Sequence, residues 1–180
     1  MHELIELVGP ARPELLPVVR YAIERILRDG GRVLEFGSGH STVWFAELGA
    51  EVVSVEHDRV WEEAVCRWLA ERGLAVKLWL CKAKHAALIA DKYEDGWFDL
   101  VLIDNYQYSR YACLKAARAK VRPGGWLILD DAQWPDFVDV PKLLRDWERY
   151  DVLGMHHRTS GITALVRTDF YQRPGGDECS

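Results

Sequence analysis

The sequence lacks every arrangement of cysteine that builds a metal centre or a disulfide framework. Its four cysteines, Cys66, Cys81, Cys113 and Cys179, stand at least 15 residues apart, with no Cys-x-x-Cys pair and no histidine at zinc-finger spacing. They read as the reduced thiols of a cytoplasmic protein. No window approaches the roughly 18 apolar residues of a membrane span, and the opening MHELIELVGPARPELL has neither the basic start nor the apolar run of a signal peptide. Positive charge is also in deficit. The 23 Lys and Arg against 28 Asp and Glu give a net charge of −5, which removes the electrostatic footprint of a duplex-DNA binder. The expected partners therefore include neither nucleic acid nor membrane.

What is present is an ordinary globular composition, 49% hydrophobic and 28% charged, over 180 residues that include eight tryptophans. Such a length fits one domain, which can bury roughly 70% of its unfolded surface. Short β-branched runs alternate with helical patterns from Arg32 onward, the mark of a parallel sheet covered on both faces. The runs Arg32–Phe36, Glu51–Glu56, Ala75–Leu80, Phe98–Asp104 and Gly125–Asp130 read as strands. Ser41–Leu48, Asp58–Arg72, Ala83–Lys92 and Tyr106–Lys120 carry apolar residues at helical spacing between them. A further helix is expected over Pro135–Arg149. After it, Tyr150–His156 and Gly161–Thr168 lie too close together for a parallel crossover, so they should form an antiparallel hairpin. The expected organisation is an N-terminal helical segment over 1–29, an α/β domain over 30–168 and a flexible tail over 169–180.

A Gly-x-Gly turn, Gly37-Ser38-Gly39, joins the first strand to the next helix. Glycines there let the backbone approach a ligand, although the pair also suits a plain strand-to-helix turn. No Lys-Ser/Thr follows, so a nucleoside triphosphate has no counter-charge. Glu35, two residues before Gly37, would repel a pyrophosphate and would suit an ammonium group. Thr42 replaces the third glycine of the dinucleotide fingerprint, which further disfavours an NAD-dependent oxidoreductase. Glu56 ends the second strand, where a carboxylate can accept hydrogen bonds from both ribose hydroxyls; the alternative is a solvated charge. Asp58 is already the N-cap candidate of the following helix. A ligand with an amine, a carboxylate, a ribose and no phosphate fits, and S-adenosylmethionine has that set of groups.

The blocks VLEFGSGHST, VVSVEHD, FDLVLIDN and VRPGGWLILDDA, in that order, resemble a class I S-adenosylmethionine-dependent methyltransferase over about Arg32 to Thr168. The resemblance implies a doubly wound, mostly parallel seven-stranded sheet in the order 3-2-1-4-5-7-6. It implies that Gly37 and Gly39 pass under the methionyl part, that Glu35 holds its ammonium through water, and that Glu56 binds the ribose. Ser41, His57, Trp61 and Ala83 complete the expected cofactor-binding set, with Asp104 nearest the methyl group. Lys82 stands where the family often has an acidic residue for the adenine amine, so adenine must rely on backbone carbonyls or an apolar wall such as Trp61. Trp44, Trp68, Trp79 and Trp147 read as core, and Trp134 as a second candidate wall.

The expected reaction is methyl transfer to an oxygen or nitrogen of a small molecule, with a non-catalytic cofactor-binding domain as the alternative. Asp104 and Asp130 are the expected catalytic residues, with Asp131 a further candidate base. In catechol-type O-methyltransferases an aspartate after strand four and an Asp-Asn pair after strand five bind magnesium or calcium. Asp104 and Asp130-Asp131 fall at those places, or the pair is a turn and helix cap. His40, His57, His156 and His157 are candidates for acid-base work or scaffold residues. Tyr106, Tyr108 and Tyr111 shape the acceptor pocket or pack beside Asp104. Acceptor choice falls to the first 29 residues, the loops around Asn105, Gln133 and Arg158, or a second subunit of a homo-oligomer.

Overall fold

A computed structural model of the chain describes residues 13–157 and 163–176. Its strands are β1 (Gly31–Phe36), β2 (Ala50–Glu56), β3 (Lys77–Leu80), β4 (Phe98–Ile103), β5 (Val121–Leu129), β6 (Glu148–His157) and β7 (Thr163–Gln172). They form one sheet in the order β3-β2-β1-β4-β5-β7-β6. β1 to β5 run parallel, and β7 lies antiparallel between β5 and β6, as the resemblance implied. The helices are α1 (Pro17–Ile26), α2 (His40–Glu47), α3 (Arg59–Glu71), α4 (Gln107–Ala117) and the one-turn α5 (Val140–Leu143).

The central strands are apolar on both sides, so the sheet needs cover on both faces. On one face Val33, Val52, Leu100, Leu102, Ile128 and Phe170 pack with Val19 and Ile23 of α1 and Phe45 of α2. On the other, Leu34, Phe36, Val101, Ile103, Leu127 and Tyr171 pack with Cys113, Leu114 and Ala117 of α4. Trp68 is buried beneath α3, while Trp44, Trp79 and Trp147 pack half-buried against the core. Asp58 caps α3, accepting the Val60 and Trp61 N–H groups. Cys66, Cys81 and Cys113 are free thiols. Among the described residues, no helix is long and apolar enough to cross a membrane.

Four elements depart from the sequence expectation. The helix expected over Pro135–Arg149 is a 3-10 turn (Pro135–Phe137), the short α5 and then the start of β6 at Glu148. Pro141 supplies no N–H, so α5 starts there afresh, and the next residues gain more by pairing with β7. The tail expected from Asp169 instead completes β7. Asp169 to Gln172 pair with β5, and Phe170 and Tyr171 are buried. β5 starts at Val121, before Pro123-Gly124-Gly125, which bulge out of register with β4. Residues Ala83–Lys92 are 3-10 rather than α-helical.

Parallel pairing brings the carboxyl ends of β1, β2, β4 and β5 to one edge of the sheet. Past that edge β6 and β7 continue alone. The β5–β7 pairing stops at Leu129↔Asp169, whereas β6 and β7 stay paired to His157↔Thr163, a further run of roughly 20 Å at about 3.4 Å per residue. Gly154 lets this projecting hairpin pack against Leu16, whose Cδ1 would stand 3.1 Å from an added Cβ. Its other face exposes Leu153, Met155 and Leu165.

Candidate active site

β1 ends in Gly37, whose φ of +96° favours glycine. A Cβ there would collide with the Asp104 carbonyl, so glycine also sets how closely the loop approaches the end of β4. Beneath the loop, Glu35 is fully buried. It accepts hydrogen bonds from the hydroxyls of Ser41, of Thr42 at 2.5 Å and of Ser54 at 2.6 Å. Thr42 in turn accepts the Gly39 N–H at 2.8 Å. This network ties the start of α2 to β1 and β2. Burial pushes the Glu35 carboxyl up to about 7, against the opposing pull of the three hydroxyls.

Above the loop lies a cleft of about 280 Å³, near the lower end of ligand-sized cavities. One wall is Gly37, Ser38 and Trp61, and the floor carries Glu56. Glu56 is buried and already ordered. Its Oε2 accepts the Ser38 N–H at 2.9 Å, and its Oε1 accepts the His57 and Asp58 N–H groups and lies 2.8 Å from His57 Nδ1. Oε2 therefore keeps a lone pair for a ligand hydroxyl, whereas the two backbone N–H groups occupy Oε1. The Trp61 indole N–H donates to the Ser38 carbonyl, fixing its ring beside the loop.

Asp104, Asn105 and Tyr106 also line the cleft. Tyr106 stacks at a tilt on His57, with ring centroids 5.3 Å apart. Asn105 is buried and holds the Ser109 hydroxyl at 2.7 Å through Nδ2, while its Oδ1 has no hydrogen-bond partner. Ser109 spends its own proton on the Tyr106 carbonyl, which fixes the amide orientation. Asn105 Oδ1 is itself closed off from solvent. Glu56, Asp58 and Asp104 all line the cleft, and among the described residues no Lys or Arg does. The cleft thus favours a cationic ligand and rejects a phosphorylated one.

Asp104 has a third of its side chain exposed, and its Oδ1 accepts from Arg110 Nη2 at 2.9 Å. Its carboxyl is held well above the usual carboxylate range by removal from bulk water and then by the charge of Asp130; Arg110 opposes both. Asp130 is buried, with its Oδ1 taken by the Thr168 hydroxyl at 2.6 Å, and burial raises its carboxyl too. Asp131 sits at φ +51°, a backbone conformation that aspartate tolerates better than most residues.

Of the residues expected to bind cofactor, Gly37, Glu56, His57, Trp61 and Asp104 line the cleft together. Gly39 lies just behind, against Trp61. Glu35 and Ser41 lie under the loop and Ala83 opens the 3-10 helix; none reaches the cleft wall. Asp130 does not reach it either. His40 stacks on Trp68, with centroids 4.5 Å apart, as a scaffold residue. The side chains of His156 and His157, and the whole of Arg158, lie outside the described residues. Trp134 is exposed but not on the cleft, and Tyr111 packs against the core. Sequence reasoning misses Arg110 altogether and finds Asn105 only as a loop position; a polar residue one turn into the helix after Asp104 is the available signal.

The residues do not fit a magnesium or calcium site. Asp104 Oδ1 and Asp130 Oδ1 are engaged by Arg110 and Thr168, and Asp131 Oδ1 accepts from Gln133 at 3.1 Å. Among the described residues, no three His, Cys, Asp or Glu side chains form a group able to hold a metal. The groups of S-adenosylmethionine, by contrast, suit the glycine cradle and the spare Glu56 lone pair.

A family model described as a methyltransferase domain matches residues 34–132, more than half of the chain. The chain belongs to that family and, with this sheet order, is a class I S-adenosylmethionine-dependent methyltransferase. Comparison with curated proteins gives no match. Solved structures similar to it include a putative O-methyltransferase of Klebsiella pneumoniae, with a TM-score of 0.71 at 19% identity, covering 88% of this chain and 81% of that one. An O-methyltransferase of Bacillus cereus in complex with S-adenosylhomocysteine has a TM-score of 0.70 at 16% identity, covering 87% and 82%. A methyltransferase of Methanosarcina mazei has a TM-score of 0.65 at 14% identity, covering 90% and 99%. At these identities the likeness is one of fold.

Proposed function

We propose that the protein transfers a methyl group from S-adenosylmethionine to an oxygen or nitrogen of a small-molecule acceptor, with Asp104 as the base. The observation that carries this reading is the cleft lining, where three carboxylates and, among the described residues, no Lys or Arg surround the space. When bound, S-adenosylmethionine supplies an electrophilic methyl group on a positively charged sulfur. Glu56 Oε2 accepts from a ribose hydroxyl, and Trp61 walls the adenine side. Asp104 also lines the cleft, where its negative charge attracts the cationic centre and its carboxylate can take the acceptor's proton. As the acceptor atom forms its bond to carbon, the carbon–sulfur pair returns to sulfur and the proton passes to Asp104. Much of the rate gain comes from holding the acceptor in line at near-attack distance.

O-methyltransferase names among the structural neighbours favour oxygen as the first acceptor to try. The projecting β6–β7 hairpin, with Leu153, Met155 and Leu165 exposed, gives the acceptor side an apolar wall. The test is mass spectrometry of S-adenosylhomocysteine and methylated product over a panel of phenols and amines. Asp104→Asn, assayed at saturating S-adenosylmethionine, should lose about 10²–10⁴-fold in kcat for a hydroxyl acceptor. An unchanged kcat would remove Asp104 from the reaction.

A further inference from the structure

Three carboxylates meet where β4 and β5 end, and in such a place negative charge needs a counter-ion. The chain provides one. Arg110, on the first turns of α4, has only 8% of its surface exposed and spends its whole guanidinium on this corner. Nε donates to the Asn105 carbonyl at 2.5 Å, Nη1 to the Asp130 carbonyl at 2.7 Å, and Nη2 to Asp104 Oδ1 at 2.9 Å. Nη1 also lies 3.9 Å from Asp131 Oδ2. One side chain thus binds the loop after β4 to the loop after β5, and it draws on carboxylate and carbonyl oxygens of the kind a divalent ion uses.

A guanidinium stays protonated at any working pH, and its planar fork fixes direction as well as charge. A divalent cation placed among the same oxygens would face that buried positive charge at close range and compete with it for Asp104 Oδ1.

We propose that Arg110 is the resident cation of this active site, taking the place a divalent metal would occupy: it positions Asp104, and methyl transfer proceeds without metal. The inference rests on the methyl-transfer reading for its setting, not for its test. An acceptor then needs no pair of adjacent oxygens to chelate an ion; one hydroxyl or amine facing Asp104 suffices. Arg110 is a positioning residue, acting through Asp104 and the two loops.

The test reads cation binding apart from turnover. Thermal unfolding of the free protein is followed with magnesium, with calcium and with EDTA, for the wild type, Arg110→Met and Arg110→Lys. The wild type should show the same midpoint in all three. Arg110→Met uncovers the carboxylates without their counter-ion, so calcium or magnesium should raise its midpoint by several degrees, whereas Arg110→Lys should stay indifferent. A merely structural arginine would lower the midpoint and create no response to metal. A wild type stabilised by either cation, or a folded Arg110→Met indifferent to both, overturns the proposal. Should Arg110→Met not fold, Arg110→Lys decides through turnover: a lower kcat at unchanged cofactor affinity supports positioning, and wild-type kcat refutes it. Loss of cofactor binding in the wild type would sink the methyl-transfer reading while leaving the cation titrations interpretable.

Discussion

Glu35 lies fully buried under the glycine turn with three hydroxyls donating to it. Its place two residues before the glycine turn suggests a partner for a ligand ammonium, but the side chain faces inward to three hydroxyls. Inward direction depends on Ser41, Thr42 and Ser54 converging from two other elements, which no local pattern reveals. The consequence can be measured. A carboxyl raised from 4.5 to about 7 in the folded state takes up a proton on folding, so the stability it contributes is complete below pH 4.5 and lost as the pH rises through 7. In urea unfolding, Glu35→Gln should gain about 2–3 kcal/mol relative to wild type between pH 5 and pH 8.5, since each tenfold change in proton affinity is worth about 1.4 kcal/mol. Parallel pH curves for the two proteins would contradict this. Asp104 carries the kinetic counterpart. Its carboxyl is also raised, so it works as a base only once deprotonated, and turnover of a hydroxyl acceptor should climb with pH through a midpoint well above the usual carboxylate range. A rate already on its plateau at pH 5 would speak against that assignment.

At the scale of elements, the strands around the cofactor cleft were the most legible. β1, β2 and β4 are short apolar runs closed by glycine or an acidic residue, and their period and punctuation need no tertiary information. Legibility fell off after Asp131, where structure depends on distant partners. The stretch after Pro135 has helical spacing, yet Glu148 and Arg149 pair with Gln172 and Tyr171, and that long-range pairing wins. Likewise RTDFYQ has the polar look of a tail until Phe170 and Tyr171 are seen beneath β5 and β6. All of the β5–β7 pairing lies between Asp169 and Gln172, so a chain ended at Thr168 should lose cooperative unfolding by circular dichroism. Phe170→Ala alone should cost about 3–5 kcal/mol. A sharp transition in the shortened chain would mean that β7 does not close the sheet.

Across the whole molecule, function gathers at one edge because parallel strands all end there and their carboxylates accumulate. The sequence showed the carboxylates but not the buried arginine that balances them, because Arg110 looks like any charged residue on a surface helix until α4 is packed. Past the same edge the fold adds a projecting hairpin packed against Leu16 on one face and exposing apolar residues on the other. The central claim is that this cleft, lined by carboxylates and, among the described residues, by no Lys or Arg side chain, selects a positively charged, phosphate-free nucleoside. Calorimetric titration of the wild type and Glu56→Ala with S-adenosylmethionine and with NAD tests it most directly. The wild type should bind S-adenosylmethionine and not NAD, and Glu56→Ala should weaken that binding by about 1.5–3 kcal/mol, the worth of a charged hydrogen bond. Binding of NAD in preference to S-adenosylmethionine, or equal affinity in both proteins, would contradict it.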